Sequence, residues 1–197
     1  MRVIAGTYRS RRLNTLRGMA MRPTSDRTRE TLFNILSTSV LDSVFVDLFA
    51  GSGAVGIEAL SRGARKAIFV EHFPAAVKLL RANLESLGIA VTGPKAKSFA
   101  GAAEIIAADA IEGLEQLAAR GVKAELIFAD PPYADSAAYS ALLDWLGDSE
   151  LIVRGGRAIF EHSRRLSLPV VAGMLERTRL VQQGDTALSF YLPVRAA

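Results

Sequence analysis

The four residues Asp130-Pro131-Pro132-Tyr133 directly follow an apolar run and have the groups needed to hold a flat amine. Two consecutive prolines lack backbone donors and stiffen the chain, so we expect the carbonyls that precede them to be free acceptors. Asp130 and such a carbonyl would accept both hydrogens of an amino group, while the Tyr133 ring stacks on a base for ~1–3 kcal/mol. A rigid loop without chemistry is the alternative. We predict a site for an exocyclic amino group of a nucleic-acid base, in which the Tyr133 hydroxyl has no assigned role.

The lone pair of such an amine is delocalised into the ring, which makes the nitrogen a poor nucleophile. Acceptors that bind both N–H groups favour a more tetrahedral nitrogen and align its lone pair, so positioning and electrostatics would supply most of the catalysis. Asp130 or water would take the departing proton. The chain has no cysteine, which excludes a thiol adduct and thiolate metal sites, and its two histidines lie far apart. We therefore predict direct transfer of a methyl group to the amine nitrogen, with no metal ion.

A glycine-rich segment begins at Asp47, where an apolar run gives way to a helical pattern. Ala50, Gly51 and Gly53 stand in this turn, where glycine permits close backbone approach to a ligand. Glu71 ends the next apolar run, where a carboxylate can accept ribose hydroxyls. A nicotinamide cofactor is an alternative, but the Asp47 carboxylate would repel a pyrophosphate and attract a ligand that carries an ammonium and a sulfonium. We predict that these five residues bind S-adenosylmethionine.

Three further residues are assigned to the same cofactor pocket. His72 follows Glu71 directly, although an exposed loop histidine is an equal alternative. Asp109 follows the third predicted strand and could reach an adenine amino group, with Ala110 beside it. The alternative role for Asp109 is to cap the helix that begins at Ala110.

The charge of the chain is concentrated at its amino-terminal end. Residues 1–30 contain eight arginines and two acids, whereas the whole chain has a net charge of only +4. The planar guanidinium binds phosphate oxygens bidentately and keeps its charge, although a solvated basic terminus is the alternative. We predict that RNA phosphates are bound by Arg9, Arg11, Arg12, Arg22 and Arg27.

Strand and helix patterns alternate along most of the chain, which is typical of an α/β fold with a doubly wound, mostly parallel sheet. Residues 178–183 and 186–192 alternate in polarity around Gly184-Asp185 and predict a terminal antiparallel hairpin. Residues 3–7 and 11–16 predict a small basic β-hairpin, followed by a helix that Thr24 or Ser25 caps. We therefore predict a sheet of about seven strands in a catalytic domain at residues 23–197, with an RNA-binding extension at residues 1–22 that contains the basic hairpin. Further strands are predicted at 44–48, 67–70, 104–107, 125–129 and 157–162, and helices at 54–61, 74–87, 110–119 and 136–146.

Three segments together resemble the motifs of one known family, in the same order and spacing over residues 2–192. They are residues 22–36 (RPTSDRTRETLFNIL), residues 47–56 (DLFAGSGAVG) and residues 130–133 (DPPY). In these motifs the chain resembles the bacterial 16S rRNA (guanine(966)-N(2))-methyltransferase family. The resemblance implies a Rossmann-like class I methyltransferase fold and S-adenosylmethionine as cofactor. It also implies transfer to the N2 amino group of a guanine in 16S rRNA, either free or within an assembled or partly assembled small subunit.

The resemblance also implies roles for individual residues. Residues 130–133 would hold the guanine, and Arg22, Thr24 and Arg27 would lie near the entrance to the site. Two features depart from the family pattern: Ser10 stands where glycine is frequent, and the loop at residues 88–101 is longer. Cofactor contacts are implied for Asp47, Ala50, Gly51, Gly53, Glu71 and Asp109.

Three other functions stay open from the sequence. An N6-adenine DNA or RNA methyltransferase could share the 130–133 motif, although DNA enzymes usually have a recognition domain for which 197 residues leave no room. A glutamine-modifying protein methyltransferase would more typically have asparagine in place of Asp130. A non-catalytic rRNA-binding assembly factor could retain a vestigial cofactor fold. The chain has no apolar run of about 18 residues, so we expect a cytoplasmic protein without a membrane partner.

Overall fold

Five apolar runs form the parallel half of the sheet in the computed structural model, which describes residues 1–15, 25–93 and 101–194. Most of their residues are buried, because helices cover both faces of the sheet and leave no polar side. The strand order in this half is β3-β2-β1-β4-β5. The strands are β1 (Val44–Leu48), β2 (Lys66–Val70), β3 (Ala102–Ile106), β4 (Ala124–Ala129) and β5 (Ile152–Ser163).

Helices pack on both faces of this sheet, as predicted for a doubly wound fold. On one face lie α1 (Asp26–Leu36), a short 3₁₀ helix (Ser37–Val40), α2 (Ala54–Ser61) and α3 (Pro74–Ser86). On the other lie α4 (Ala110–Ala119) and α5 (Ser136–Gly147). Ser25 caps α1, with its hydroxyl accepting from the Thr28 amide at 3.0 Å, which confirms the predicted helix start.

The carboxyl-terminal strands extend the sheet with antiparallel pairing. β8 (Thr186–Pro193) pairs with β5, β7 (Leu175–Gln183) with β8, and β6 (Val171–Ala172) with β7. The predicted terminal hairpin is confirmed. The predicted number of about seven strands is too low, since the described residues form one eight-stranded sheet. The additional strand, β6, has two residues and is too short to give a recognisable pattern in the sequence.

The amino-terminal segment folds back on itself without the two predicted strands. One antiparallel bridge joins Arg2 to Arg12, and the Val3 amide donates to the Arg11 carbonyl at 2.9 Å. No ladder extends through residues 3–7 and 11–15, so the prediction of strands is wrong for the described part of this segment. The proposed domain boundary at residue 22 falls outside the described residues and stays a prediction. So do the assignments for Arg22 and Thr24 and for the part of the 88–101 loop at residues 94–100.

Helix α2 takes the hydrogen bonds that a partner strand would have made. The Glu58 carboxylate accepts from the amides of Ile4 and Ala5 at 2.8 and 3.0 Å. A Cβ atom on Gly6 would lie 1.7 Å from the Ser61 carbonyl oxygen, so only glycine allows this close approach. The amino-terminal segment is therefore fixed to the body of the fold rather than extended into solvent.

None of the helices within residues 1–15, 25–93 and 101–194 is long and apolar enough to cross a membrane.

Candidate active site

The loops that carry the predicted chemistry meet at one edge of the sheet. β1 lies between β2 and β4, and the strand order reverses there, with β2 and β3 on one side and β4 and β5 on the other. In α/β sheets such a reversal opens a crevice outside the carboxyl ends of the two central strands. The loops after the first four strands surround this edge and carry Gly51, Glu71, Asp109 and Asp130.

The loop between β1 and α2 has a left-handed backbone at three residues. Phe49 has φ 69°, Gly51 has φ 54° and Gly53 has φ 80°, the last at the N-cap of α2. A bulky residue such as Phe49 in this region costs about 1–3 kcal/mol, a strain that clusters at functional sites. A Cβ atom on Gly53 would lie 2.3 Å from Leu80 Cδ1, so glycine is needed for packing as well as for the turn. The Ala50 amide is already used, since it donates to the Val70 carbonyl at 3.0 Å.

Asp47 is an ionisable residue buried inside β1, next to this loop. Only 2% of the residue is exposed, and its Oδ2 accepts from the Gly56 amide at 2.9 Å. Burial raises the pKa of Asp47 to about 7, and the nearby Glu71 charge acts in the same direction, against the Gly56 hydrogen bond. A cation beside this carboxyl group would favour its ionised form near neutral pH.

Glu71, His72 and Asp109 lie close together at the ends of β2 and β3. Glu71 is buried, and its two carboxylate oxygens accept from the amides of Gly51 and Phe73, both at 2.8 Å. The exposed His72 has its Nδ1 3.7 Å from Glu71 Oε1 and 3.9 Å from Asp109 Oδ1. Asp109 stands at the N-cap of α4 without a capping hydrogen bond from its side chain, and Ala110 begins that helix. The residues assigned to the cofactor thus share one edge, and their binding role stays a prediction.

The motif at residues 130–133 forms the loop after β4, and a side chain from α5 contacts its backbone. The buried Tyr139 hydroxyl lies 3.0 Å from the Pro131 carbonyl oxygen and 3.1 Å from that of Glu161. Burial raises the pKa of Tyr139, with the Asp130 charge adding to the effect, so the hydroxyl keeps its proton and donates. The expectation that both carbonyls before the prolines are free is therefore wrong for Pro131, because this hydroxyl already occupies one of its lone pairs.

The Tyr133 side chain reaches across the loop towards the carboxyl-terminal strands. Its hydroxyl donates to Glu161 Oε1 at 3.3 Å and lies 3.1 Å from the Thr186 hydroxyl oxygen. The ring is half-buried, whereas Pro131 is buried and Pro132 is exposed. The hydroxyl that had no role in the sequence analysis therefore has two polar partners.

Comparison with known proteins identifies the family. Residues 1–192 match the model of a family described as "Conserved hypothetical protein 95". The chain belongs to this family. The Ribosomal RNA small subunit methyltransferase D of Escherichia coli (strain K12) is 37% identical over 157 residues, which are 77% of this chain and 72% of that protein. Bacillus subtilis YlbH, named provisionally as an rRNA methyltransferase, is 34% identical over 191 residues, which are 97% of this chain and 98% of YlbH.

A solved structure from the same group of proteins has the same fold. Escherichia coli YhhF, titled provisionally as a methyltransferase, superposes with a TM-score of 0.81 at 32% identity and covers 98% of this chain and 97% of its own. These matches confirm the small-subunit rRNA methyltransferase family that the motifs indicated, together with the Rossmann-like fold.

Four of the five arginines assigned to RNA are described, and all four are exposed. They are not equally available, because Arg11 Nη2 donates to the Ser86 carbonyl at 2.7 Å and so fastens the amino-terminal segment to α3. Arg29, which adds to the charge of this region, is fully buried. It donates to the Arg2 carbonyl and its Nε lies 3.8 Å from Glu58 Oε2, so it ties α1 to the amino-terminal segment and to α2. The four exposed residues are Arg9, Arg11, Arg12 and Arg27.

Asn83 is a buried link between the amino-terminal segment and the glycine-rich loop, and the sequence analysis missed it. Its Oδ1 accepts from the Asn14 amide at 2.9 Å, and its Nδ2 donates to the carbonyls of Asn14 at 3.1 Å and Ser52 at 2.9 Å. The signal was available, because Asn83 falls on the buried face of α3 at helical spacing from Ala76 and Leu80.

Glu161 was missed as well, although it too is a polar residue within a segment of buried apolar residues. It is a carboxylate with 3% exposure that directly follows the buried Ile159 and Phe160 in β5. Among the described residues, no group of three or more histidine and carboxylate side chains is placed to hold a metal ion.

Proposed function

We propose that this protein methylates the exocyclic N2 amino group of a guanine in 16S ribosomal RNA, with S-adenosylmethionine as the methyl donor. One observation carries the proposal. The motif that begins at Asp130 directly follows β4, and Asp47 lies in the neighbouring strand β1, at the point where the strand order reverses. A methyl donor bound over β1 and a base bound over β4 would meet in the crevice between their loops.

The residues at the β1 and β2 ends fit this cofactor better than a dinucleotide. The buried carboxylate of Asp47 lies where a pyrophosphate would be repelled. Because the pKa of Asp47 is raised to about 7, a ligand ammonium near this carboxyl group favours release of its proton to solvent, and the resulting carboxylate pairs with the ammonium. Glu71 would accept from ribose hydroxyls while it holds the Gly51 amide, and Asp109 would reach the adenine. When bound, S-adenosylmethionine supplies an electrophilic methyl group on its sulfonium.

The loop after β4 would hold the amine. Asp130 accepts one or both amino hydrogens and the Tyr133 ring stacks on the base, which aligns the nitrogen lone pair without a covalent intermediate. The Pro131 carbonyl has a second lone pair for the amine beside its contact with Tyr139. After transfer, the proton leaves the nitrogen to the Asp130 carboxylate or to water.

The basic surface of the amino-terminal segment would bind the RNA backbone. Arg9, Arg12 and Arg27 are exposed and fit phosphate contacts that do not depend on the base. The name of the Escherichia coli relative supports small-subunit rRNA as substrate. We expect the protein to act in the cytoplasm on this RNA, free or within an assembled or partly assembled subunit.

Incubation with hypomethylated small subunits and S-adenosylmethionine labelled in the methyl group tests this proposal. We expect the label on one 16S guanine as N2-methylguanine, after digestion and mapping of the modified nucleoside. Label on adenine N6 would indicate an adenine methyltransferase instead. Tight binding of RNA and cofactor without any transfer would indicate an assembly factor with a vestigial cofactor site.

A further inference from the structure

The Tyr133 hydroxyl contacts two buried side chains from neighbouring strands. Glu161 lies in β5 and Thr186 is the first residue of β8, and each is 3% exposed. Glu161 Oε1 is 3.3 Å and Thr186 Oγ1 is 3.1 Å from the Tyr133 oxygen. The partners are separated from Tyr133 by 28 and 53 residues along the chain, so the sheet rather than the loop brings them there.

The three groups form a directed set of hydrogen bonds. A phenol has one hydrogen, which Tyr133 donates to the Glu161 carboxylate. In the contact with Thr186 the phenol oxygen must then accept, so the Thr186 hydroxyl is the donor. Because the phenol oxygen lies on the long axis of the ring, two bonds to it fix the direction of that axis. The ring plane then has only rotation about this axis left.

The same strand also fixes the backbone on which the ring is mounted. The Glu161 carbonyl oxygen lies 3.1 Å from the Tyr139 hydroxyl, which in turn contacts the Pro131 carbonyl at 3.0 Å. Glu161 thus contacts one tyrosine with its carboxylate and the other with its carbonyl. The loop after β4 is tied to β5 at its backbone and at the end of its aromatic side chain.

We propose that Glu161 and Thr186 are positioning residues, which hold the long axis of the Tyr133 ring through its hydroxyl in the direction that allows a face of the ring to stack on the target base. This inference rests on the proposed function, in which that ring contacts the base. It gives the β7–β8 hairpin a part in catalysis, since Thr186 directly follows the Gly184-Asp185 turn. Neither residue needs to touch the substrate.

A double-mutant cycle between Thr186→Val and Tyr133→Phe tests the proposal. Both substitutions keep shape and remove one hydroxyl. Thr186→Val should lower the single-turnover rate of methyl transfer at saturating RNA and cofactor by roughly fivefold, the effect of one neutral hydrogen bond. Tyr133→Phe should lower it at least as much, because it also removes the bond to Glu161. The double variant should be no slower than Tyr133→Phe alone, because Thr186 acts through the phenol oxygen. Glu161→Gln, which keeps an acceptor oxygen, should retain most of the rate.

Ser189→Ala is the matched control. Ser189 in β8 is fully buried, and its hydroxyl oxygen lies 2.9 Å from His162 Nε2. Ser189→Ala should lower thermal stability about as much as Thr186→Val does. Its effect on the methyl-transfer rate should be the same whether residue 133 is tyrosine or phenylalanine. An equal rate loss from Thr186→Val in both backgrounds would overturn the proposal, as would a Tyr133→Phe variant with the wild-type rate.

The ¹³Cζ resonance of Tyr133 supplies a measurement that needs neither substrate nor activity. The chain has four tyrosines, and Tyr133→Phe identifies the signal by its loss. Thr186→Val and Glu161→Gln should each shift this resonance, whereas Ser189→Ala should leave it unchanged. An unshifted signal in Thr186→Val refutes the hydrogen bond itself. Absence of methyl transfer by the wild-type protein refutes the proposed function instead, so the two failures are distinguishable.

Discussion

Replacing Asp47 by asparagine separates the energetic cost of burying its charge from the value of that charge to the cofactor. In the folded protein the pKa of Asp47 is raised from 3.8 to about 7, mainly by burial. Between these two values the folded state keeps a proton that the unfolded state releases. The free energy of unfolding therefore falls as pH rises through this window and is constant, for this group, above about pH 7.

The size of the effect follows from the shift. About 3 pKa units at about 1.4 kcal/mol per unit give an upper figure of about 4 kcal/mol. Asparagine cannot ionise and keeps an oxygen for the Gly56 amide, which donates at 2.9 Å in the wild-type protein. Asp47→Asn should therefore raise the free energy of unfolding by up to this amount at about pH 8 and by little at about pH 4, as measured by urea denaturation without cofactor.

The same substitution should weaken cofactor binding, although it stabilises the folded protein. Loss of a charged partner for the ammonium group should raise the S-adenosylmethionine dissociation constant roughly 10- to 100-fold at about pH 8. The affinity of the wild-type protein for S-adenosylmethionine should fall by up to about tenfold per pH unit below about pH 7. The reason is that the Asp47 carboxyl group must lose its proton before it can pair with the ammonium group. Calorimetry should find no such slope in the variant.

Asp42→Asn is the control for this experiment. Its side chain is 80% exposed and its Oδ1 lies 3.6 Å from Arg65 Nε, so its loss should change stability by less than about 1 kcal/mol at every pH. An Asp47→Asn variant that is no more stable than wild type at about pH 8 would refute the cost of the buried charge. Unchanged cofactor affinity would remove Asp47 from the ammonium site.

Four further variants test the remaining parts of the site. Glu71→Gln should raise the S-adenosylmethionine dissociation constant roughly tenfold, since it loses the charge but keeps one acceptor; equal affinity in calorimetry would exclude Glu71 from the ribose site. Asp130→Ala should lower the single-turnover rate roughly 10²- to 10³-fold with unchanged cofactor affinity, and near-normal rates would contradict the proposed chemistry. Joint replacement of Arg9 and Arg12 by alanine should weaken RNA binding and reduce its salt slope by up to about two phosphate contacts. A wild-type slope would mean that these arginines are only solvated. Arg11→Ala should in addition lower the melting temperature, because it removes the bond to the Ser86 carbonyl.

Much of the parallel core could be predicted because its information is local. The strand at residues 44–48 and the helices at residues 54–61 and 110–119 have the predicted bounds. In these segments a mostly apolar run or a helical stripe is bounded by glycine or by a capping residue. The glycine-rich turn could be predicted for the same reason, since its backbone conformation depends on residues within the turn.

The contacts that orient the site could not be predicted from local patterns. The two partners of the Tyr133 hydroxyl are distant in the sequence and become neighbours only when β8 pairs with β5. Two amino-terminal strands were predicted as a hairpin, but Glu58 and Ser61 in α2 accept from backbone amides of this segment instead. The sequence does mark such places, because a polar residue at a position that the periodicity assigns to the core needs a buried partner.

Asn83 and Glu161 are two such positions, and together they explain why both ends of the chain matter to the central loops. Asn83 joins the amino-terminal segment to the Ser52 carbonyl of the cofactor loop at 2.9 Å. Glu161, with Thr186 from the terminal hairpin, holds the tyrosine of the amine-binding loop. A bare α/β sheet would leave both loops exposed at its edge and free to move. Here each loop is tied by a buried polar side chain to a segment outside the parallel core, so pre-organisation of the site depends on those segments being folded.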